Sequence, residues 1–263
     1  MPKLPFSSRW VRQLLLERIG NRQPNVGVFV TDLATGATVQ INPDKSFKAA
    51  SVAKIPVAMT VLHLVTEGAI SLDDQVTYQA KTDYAEGAGS LRYALQDGDK
   101  VSVGYLLDRL IRVSDNVAWN MLERYIGAGT INQYMQSQGV QTPYTETGNR
   151  LTPRDTNTLL VRLNGLQAGI SPELTRWLID LMATTAYRDR IPAKLPPEVY
   201  AAEKVGTLAD VIHDVGLVYA PQRSFAISVM TENIPEREAA DLIADLAARV
   251  YWYEDWLVNA GGS

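Results

Sequence analysis

The sequence contains no cysteine and only two histidines, His63 and His213, in 263 residues. Disulfide bonds and thiolate metal sites are therefore excluded, and a metalloenzyme is disfavoured because histidine and cysteine are the usual ligands of zinc. A Ser-His-Asp hydrolase is disfavoured too, since the chain has no Gly-x-Ser-x-Gly string. His63 lies within an apolar helical run, where we interpret it as a packed structural residue. We expect no metal and no cofactor.

Long apolar runs and a strong excess of one charge are also missing. No segment reaches the roughly 18 unbroken apolar residues of a membrane span, so we expect no transmembrane segment. Residues 1–21 lack a signal-peptide core because Arg9, Arg12 and Glu17 interrupt them. The chain is therefore either cytosolic or an exported mature form whose signal was removed. A net charge of -4 without a basic stripe argues against a nucleic-acid partner.

The order of hydrophobic patterns predicts an α/β (α+β) fold, in which an antiparallel sheet is flanked by N- and C-terminal helices and an all-helical lobe is inserted. Helical patterns cover 10–19, much of 51–182 and 237–253, and strand patterns cover 26–31, 37–41, 201–204, 214–219 and 225–230. We expect residues 1–50 and 183–263 to form one discontinuous α/β domain and residues 51–182 to form a helical domain. The active site is expected in the cleft between them.

Three short strings stand out: Ser-Val-Ala-Lys at 51–54, Ser-Asp-Asn at 114–116 and Lys-Val-Gly-Thr at 204–207. Each alone has a structural explanation. Ser51 and the string 114–116 could cap the helices that follow them, and 204–207 reads as the end of a short strand followed by a turn. All three together, in this order, are typical of serine acyl-transfer enzymes.

The residue types suit that chemistry. Ser51 opens an apolar helix, and Lys54, three positions later, shares a helix face with it. A helix N-terminus offers free N–H groups to a developing anion. Gly206 lets a substrate approach the backbone closely, and Thr207 offers a hydroxyl and an N–H group at the strand edge.

With these strings, the chain resembles class A β-lactamase-type proteins of the serine β-lactamase and penicillin-binding protein superfamily, over nearly its whole length. Four further segments are similar to the family's sequences at the same relative positions: 89–91 (Gly-Ser-Leu), 152–155 (Thr-Pro-Arg-Asp), 189–192 (Asp-Arg-Ile-Pro) and 214–216 (Asp-Val-Gly). The resemblance implies a β-lactamase/transpeptidase-like fold, a serine nucleophile and an acyl-enzyme. The implied substrate is a small-molecule β-lactam or a peptidoglycan-like compound.

The resemblance also implies a role for each matching residue. The implied catalytic residues are Ser51 as nucleophile, Lys54 as proton acceptor, and Ser114 as a relay to the leaving nitrogen, working with Lys204. Asn116, Gly206 and Thr207 would bind the substrate, and Asp115 would tie the helical lobe together internally. A monomer in the periplasm or outside the cell is expected, with the cytoplasm left open.

The chain departs from the family pattern most clearly between Gly139 and Pro153. No Glu-x-x-Leu-Asn string is present there, and in that family its glutamate activates the water that releases the acyl-enzyme. Glu146 is the only carboxylate in the stretch. We keep it as a possible deacylation base, although an exposed loop glutamate is the simpler interpretation. Weak or slow deacylation is therefore expected.

Two smaller departures carry less weight. Val205 stands where that family has Thr or Ser, on the side that faces away from the substrate. His213 follows the strand of Lys204, and we interpret it as a surface turn residue rather than a ligand for a substrate carboxylate.

Two alternative functions stay open: a D-alanyl-D-alanine carboxypeptidase (a penicillin-binding protein) or esterase, and a non-catalytic binding protein that retains the fold.

Overall fold

The computed structural model describes residues 6–145, 149–220 and 224–260, with side chains described up to Tyr253. The chain divides into two compact units. The first contains Met1–Val52, Arg150–Val161 and Tyr187–Ser263, and the second contains Ala53–Asn149 and Arg162–Ala186. Each unit is described by itself below.

A five-stranded antiparallel sheet forms the centre of the first unit, with strand order β2-β1-β9-β8-β7. Its strands are β1 (Val26–Asp32), β2 (Thr38–Ile41), β7 (Tyr200–Leu208), β8 (Val211–Tyr219) and β9 (Phe225–Glu232). The short strands β3 (Phe47–Lys48) and β6 (Arg150–Leu151) pair separately. Among the described strands, β7 pairs with β8 alone, so its other edge is not covered by a strand of this sheet.

Two helices cover one face of the sheet and supply its core. They are α1 (Ser8–Ile19) and α10 (Glu236–Ala260). Apolar residues at helical spacing on α1, such as Val11 and Leu15, are fully buried together with Leu242 and Leu246 of α10 and Val28 of β1. The repeat of three and four residues places these side chains on one stripe of each helix, which is why both helices lie on the sheet.

The second unit is mainly helical. Its helices are α2 (Lys54–Thr66), α3 (Ala80–Asp83), α4 (Leu91–Ala94), α5 (Val103–Arg112), α6 (Asn116–Ile126), α7 (Ala128–Ser137) and α9 (Pro172–Ala183), and its strands are β4 (Gln75–Thr77) and β5 (Lys100–Ser102). Helix α8 (Pro153–Asn164) begins in the first unit and ends in the second. Every residue of α2 from Lys54 to Leu62 is buried. Since its first nine residues are buried on every side, α2 is the central helix of this unit.

The sequence predicted this architecture, and the mixed fold with its antiparallel sheet is confirmed. The division differs from the predicted domain bounds, because residues 150–161 group with the strands and residues 183–186 with the helices. Two contacts explain the first difference: β6 pairs with β3, and the Asn157 Nδ2 atom donates to the Phe29 carbonyl at 3.1 Å. The sequence did not predict the strands β3 to β6, which are too short for a periodic pattern to form.

Within the ranges described, no helix has both the length and the apolar character that crossing a bilayer requires.

Candidate active site

Ser51 lies in a single 3₁₀ turn, Ala50–Ala53, and α2 begins immediately after it at Lys54. Ala50, the residue before Ser51, has a positive φ of 48°. A non-glycine residue in that region is strained, and strain of this kind is concentrated at functional sites. The side chain of Ser51 is partly exposed, whereas the three residues that follow it are buried. The chain thus presents this hydroxyl at the surface of a rigid turn.

Gly206 packs directly against the turn that carries Ser51. A Cβ atom at position 206 would lie 3.0 Å from Val52 Cγ2, 3.1 Å from the Ala49 carbonyl oxygen and 3.3 Å from Ala50 Cβ. A side chain would therefore push β7 away from residues 49–52. Within the first unit, the string 204–207 therefore lies next to the turn that carries the candidate nucleophile.

The string 204–207 lies inside β7, whereas the sequence pattern predicted a strand that ends at 204. The strand continues to Leu208 because each of its residues pairs with β8, for example Gly206 with His213. Lys204 is fully buried, and its Nζ atom donates to the Val205 carbonyl at 3.1 Å. Burial, helped by the positive charge of Arg190 and opposed by Asp214 and Glu203, lowers the pKa of Lys204 to about 7.

Arg190 is a functional candidate that the sequence analysis did not single out, although it named the segment 189–192. Its guanidinium is buried and donates from Nη1 to the carbonyls of Gly206 (3.1 Å) and His213 (2.6 Å). From Nη2 it donates to Thr207 Oγ1 at 2.6 Å. Thr207 itself is exposed. The exposed hydroxyl at the end of the string is thus held by a buried cation that also fixes two backbone carbonyls.

In the second unit, Lys54 joins two of the predicted residues. Its buried Nζ atom donates to the Ser114 carbonyl, to Ser114 Oγ at 3.0 Å and to Asn116 Oδ1 at 2.7 Å. The Asn116 amide is oriented from its other side, since its Nδ2 donates to the Glu86 carbonyl at 2.7 Å. The Lys54 amine is therefore surrounded by a hydroxyl, an amide oxygen and a backbone carbonyl. General acid–base chemistry at a serine uses an amine and a hydroxyl in such contact.

Ser114 is placed by a strained turn between α5 and α6. Its φ is 56°, and the residue is almost fully buried. The next residue, Asp115, holds that turn: Oδ1 accepts hydrogen bonds from the N–H groups of Val117 and Ala118, and Oδ2 accepts from Ser90 and Leu91. Asp115 is thus both the N-cap of α6 and an anchor for the segment around Ser90, the internal role that the sequence predicted.

An aromatic side chain that the sequence analysis missed lies beside Lys54. The Lys54 Nζ atom is 5.0 Å from the centroid of the Trp119 ring, within cation–π range. Trp119 Nε1 donates to the Tyr144 hydroxyl at 2.9 Å, and that hydroxyl donates to Glu123 Oε2 at 2.6 Å. Burial, with the nearby Glu123 charge, raises the pKa of Tyr144 far above its usual value, so its hydroxyl keeps its proton. A sequence signal was available, since Trp119 lies three residues after Asn116 in one helix.

Both histidines are structural, but His213 is not the surface turn residue that the sequence suggested. It is fully buried in β8, where Nδ1 accepts from the Thr231 N–H group at 3.1 Å and Nε2 is 2.8 Å from the Lys48 carbonyl. Burial lowers its pKa to about 4, so the ring is neutral. His213 thereby fixes the short strand that precedes Ser51. His63 is half-buried, 2.8 Å from the Gly169 carbonyl through Nδ1. Glu146, the possible deacylation base, lies outside the described residues.

The model of the "Beta-lactamase enzyme family" matches residues 11–253, nearly the entire chain. The chain belongs to this family. Among curated relatives, an extended-spectrum beta-lactamase of Pseudomonas aeruginosa, PER-1, is 25% identical over 89% of this chain and 83% of its own length. A beta-lactamase of Streptomyces albus G is 28% identical over 86% and 78% of the two chains.

Solved structures agree with this membership. PBP-A is 27% identical and superposes with a TM-score of 0.86 over 97% of this chain and 99% of its own. A beta-lactamase from Sphaerobacter thermophilus is 26% identical, with a TM-score of 0.85 over 95% and 99%. A mutant of PBP-A, solved as an acyl-enzyme complex with penicillin-G, has a TM-score of 0.87 and 26% identity over 97% and 99%. At family level the chain is a serine beta-lactamase or PBP-type hydrolase.

Proposed function

We propose that this family member is a serine hydrolase that forms an acyl-enzyme at Ser51 with β-lactam or related amide and ester carbonyls, and that it releases the acyl group slowly. The observation that carries the proposal is the cluster of Lys54, Ser114 and Asn116, in which one buried amine contacts a hydroxyl and an amide. The packing of Gly206 against the turn of Ser51 supports it independently. No cofactor takes part in this chemistry.

Acylation begins when Ser51 Oγ bonds to the substrate carbonyl carbon and passes its proton to Lys54 Nζ. This role requires Lys54 to lose a proton first and act as a neutral amine, because a nitrogen that donates to all three oxygens of Ser114 and Asn116 is an ammonium with no lone pair to offer. As the carbon–nitrogen bond breaks, Ser114 Oγ gives its proton to the leaving nitrogen and regains one from Lys54, which returns to the neutral form. The 3.0 Å separation of Lys54 Nζ and Ser114 Oγ suits that transfer.

Substrate binding falls to the remaining predicted residues. The backbone N–H groups of Ser51 and Thr207 form the oxyanion hole, a contribution of about 3 kcal/mol for each donor. Asn116 binds the amide of the substrate side chain. The Thr207 hydroxyl binds its carboxylate, with Arg190 holding Thr207 from behind, while Lys204 keeps the predicted role of assisting Ser114 in the proton relay. Gly206 contributes indirectly, because its lack of a side chain lets residues 49–52 pack on the strand rather than making room for the substrate.

Deacylation needs a water molecule that adds to the ester carbon. The bond from that carbon to Ser51 Oγ breaks, one proton of the water returns to Ser51, and the other leaves with the product acid. In the loop 139–153, Glu146 is the only carboxylate and the Glu-x-x-Leu-Asn string is absent. With no assigned base for the water, the acyl-enzyme should persist.

Because β-lactams and peptidoglycan peptides are met outside the cytoplasmic membrane, we place this activity in the periplasm or outside the cell.

The test combines a chromogenic cephalosporin with intact-mass measurement. The purified protein should gain the mass of one acyl group within minutes and turn over only slowly. Ser51→Ala should gain no mass, whereas the control Ser137→Ala, at a surface serine, should acylate like the parent. Rapid multiple turnover would refute slow deacylation. An adduct on Ser51→Ala would remove Ser51 as nucleophile.

A penicillin-binding role, as a D-alanyl-D-alanine carboxypeptidase, is the second candidate. The departure from the Glu-x-x-Leu-Asn pattern and the similarity to PBP-A favour it. Release of D-alanine from an acyl-D-Ala-D-Ala peptide, compared with hydrolysis of a short ester, separates a carboxypeptidase from an esterase. If the native protein forms no covalent adduct with any of these compounds, the non-catalytic alternative is correct.

A further inference from the structure

Trp119 occupies a position from which it can control water at the Lys54 amine, the proposed proton acceptor. Its ring stands beside the Lys54 amine, 5.0 Å from centroid to Nζ, and is partly buried. Asn116, the proposed substrate ligand, lies three residues earlier on the same face of α6. The aromatic surface is therefore next to both the proton acceptor and the substrate amide.

The ring is held rigidly. Trp119 Nε1 donates to the Tyr144 hydroxyl, which donates in turn to Glu123. Tyr144 is buried, and its backbone N–H donates to Asn132 Oδ1 at 3.1 Å. Three protein groups thus fix the orientation of one indole, so the ring cannot swing away without breaking a buried hydrogen bond.

Tyr144 belongs to the segment 139–153, in which the Glu-x-x-Leu-Asn string is absent. Here a described residue of that segment supplies a phenol that anchors a tryptophan, and the carboxylate that accepts from the phenol, Glu123, comes from α6. The Tyr144 hydroxyl therefore joins the Trp119 ring to the Glu123 carboxylate, and the face of that ring does not bind a water molecule strongly.

We infer that the Trp119 ring, fixed by Tyr144, excludes the hydrolytic water from the Lys54 amine and thereby sets the long lifetime of the acyl-enzyme. The inference rests on the proposed function, since it concerns the second half of that reaction. Trp119 acts as a positioning residue. It makes no bond to the reacting atoms, and its effect falls on water access rather than on acylation.

The experiment follows the decay of the penicillin-G adduct by intact mass after excess ligand is removed. Trp119→Ala should shorten the adduct lifetime roughly tenfold, because a water gains access but no general base is added. The acylation rate should change far less. Trp119→Phe keeps an apolar face but loses the hydrogen bond to Tyr144, so it should recover only part of the long lifetime. Tyr144→Phe removes only the anchoring hydroxyl and should give an intermediate value.

Tyr125→Ala is the matched control, since Tyr125 is an exposed aromatic residue of the same helix and should leave the adduct lifetime unchanged. Should Trp119→Ala not fold, Trp119→Asn, which also admits water, replaces it. An adduct lifetime in Trp119→Ala or Trp119→Asn equal to the parent's would overturn the inference. Absence of any adduct on the parent protein would instead overturn the proposed function, so the two failures are distinguishable.

Discussion

The side-chain oxygen of Asn116 lies 2.7 Å from Lys54 Nζ, while its Nδ2 atom donates to the Glu86 carbonyl. The amide is therefore locked with its oxygen toward the amine. Both the state of the proposed base and the placement of the proposed substrate amide depend on this one side chain.

Asn116→Asp should slow acylation strongly while leaving the fold intact. The new carboxylate would stand within hydrogen-bond distance of Lys54 Nζ and hold it as an ammonium ion, which cannot accept the Ser51 proton. An added interaction of about 1–3 kcal/mol corresponds to roughly a ten- to a hundredfold slower rate. The measurement is the second-order rate of adduct formation with penicillin-G. Asn120→Asp, one helical turn away, is the control and should acylate within a few-fold of the parent.

Thr207→Val should weaken binding of substrates that carry a carboxylate. The Thr207 hydroxyl accepts from Arg190 and is thereby free to donate outward, so the valine variant loses the only donor that the side chain offers. We expect about a tenfold loss in the acylation rate at low substrate concentration, with little change at saturation. Thr207→Ser should recover the parent rate. An equal loss in acylation rate for a neutral ester substrate would show that the hydroxyl does not bind the substrate carboxylate.

Arg190→Lys tests the cation behind that hydroxyl. A lysine keeps the charge but cannot make three directed hydrogen bonds in the planar geometry of the guanidinium. We expect lower thermal stability and a loss of carboxylate preference similar to that of Thr207→Val. The ratio of acylation rates for a carboxylate β-lactam and a neutral ester is the readout. An unchanged ratio would mean that Arg190 only supports the strands.

Asp115→Ala should destabilise the second unit. Four backbone N–H groups lose their acceptor, and the positive φ of the preceding Ser114 loses its support. We expect the free energy of unfolding in urea to fall by roughly 3 kcal/mol or more. Asp108→Ala, which removes partly exposed ion pairs with Arg109 and Arg112, should cost about 1 kcal/mol or less. Equal effects of the two variants would contradict the role given to Asp115.

The sequence predicted most of this arrangement because its signals are local. Apolar periodicity marked α1, α5 and α10, and the three short strings marked Lys54, Ser114 and Lys204. Arg190 and Tyr144 could not be found in this way, since their roles depend on partners distant in the chain, such as Thr207 for Arg190. The surface turn position predicted for His213 was wrong for the same reason. Its buried state follows from β9 and from the Lys48 carbonyl, which no local pattern reveals.

Glu203 and Asp214 form a buried pair of carboxyl groups in the first unit. Neither oxygen of Glu203 accepts a hydrogen bond from the residues that the structure describes, and the cationic Arg188 Nη1 lies 4.0 Å from Oε1. Asp214 Oδ2, in contrast, accepts from the Ile191 N–H group at 2.9 Å, and Arg190 and Lys204 add positive charge nearby. Burial first, and then the charge of Asp214, raises the pKa of Glu203 far above its ordinary value. The proton of the pair therefore resides on Glu203.

This proton makes stability depend on pH. Above about pH 4.5 the unfolded chain releases the Glu203 proton while the folded chain keeps it, so this group's contribution to stability falls as pH rises. His213 acts in the opposite direction between about pH 4 and 6.5, because its folded form binds fewer protons. The informative quantity is therefore the difference between the parent and Glu203→Gln.

Glu203→Gln keeps the shape and can donate to Asp214 at every pH. Its free energy of unfolding should rise relative to the parent from pH 5 to 7, by at most roughly 1.4 kcal/mol per pH unit. Urea unfolding at half-unit steps of pH measures this difference, and the exposed Glu198→Gln is the control, which should run parallel to the parent. If the free energy of unfolding of Glu203→Gln also runs parallel to that of the parent across this pH range, Glu203 is ionised in the folded protein and the assignment of the proton is wrong.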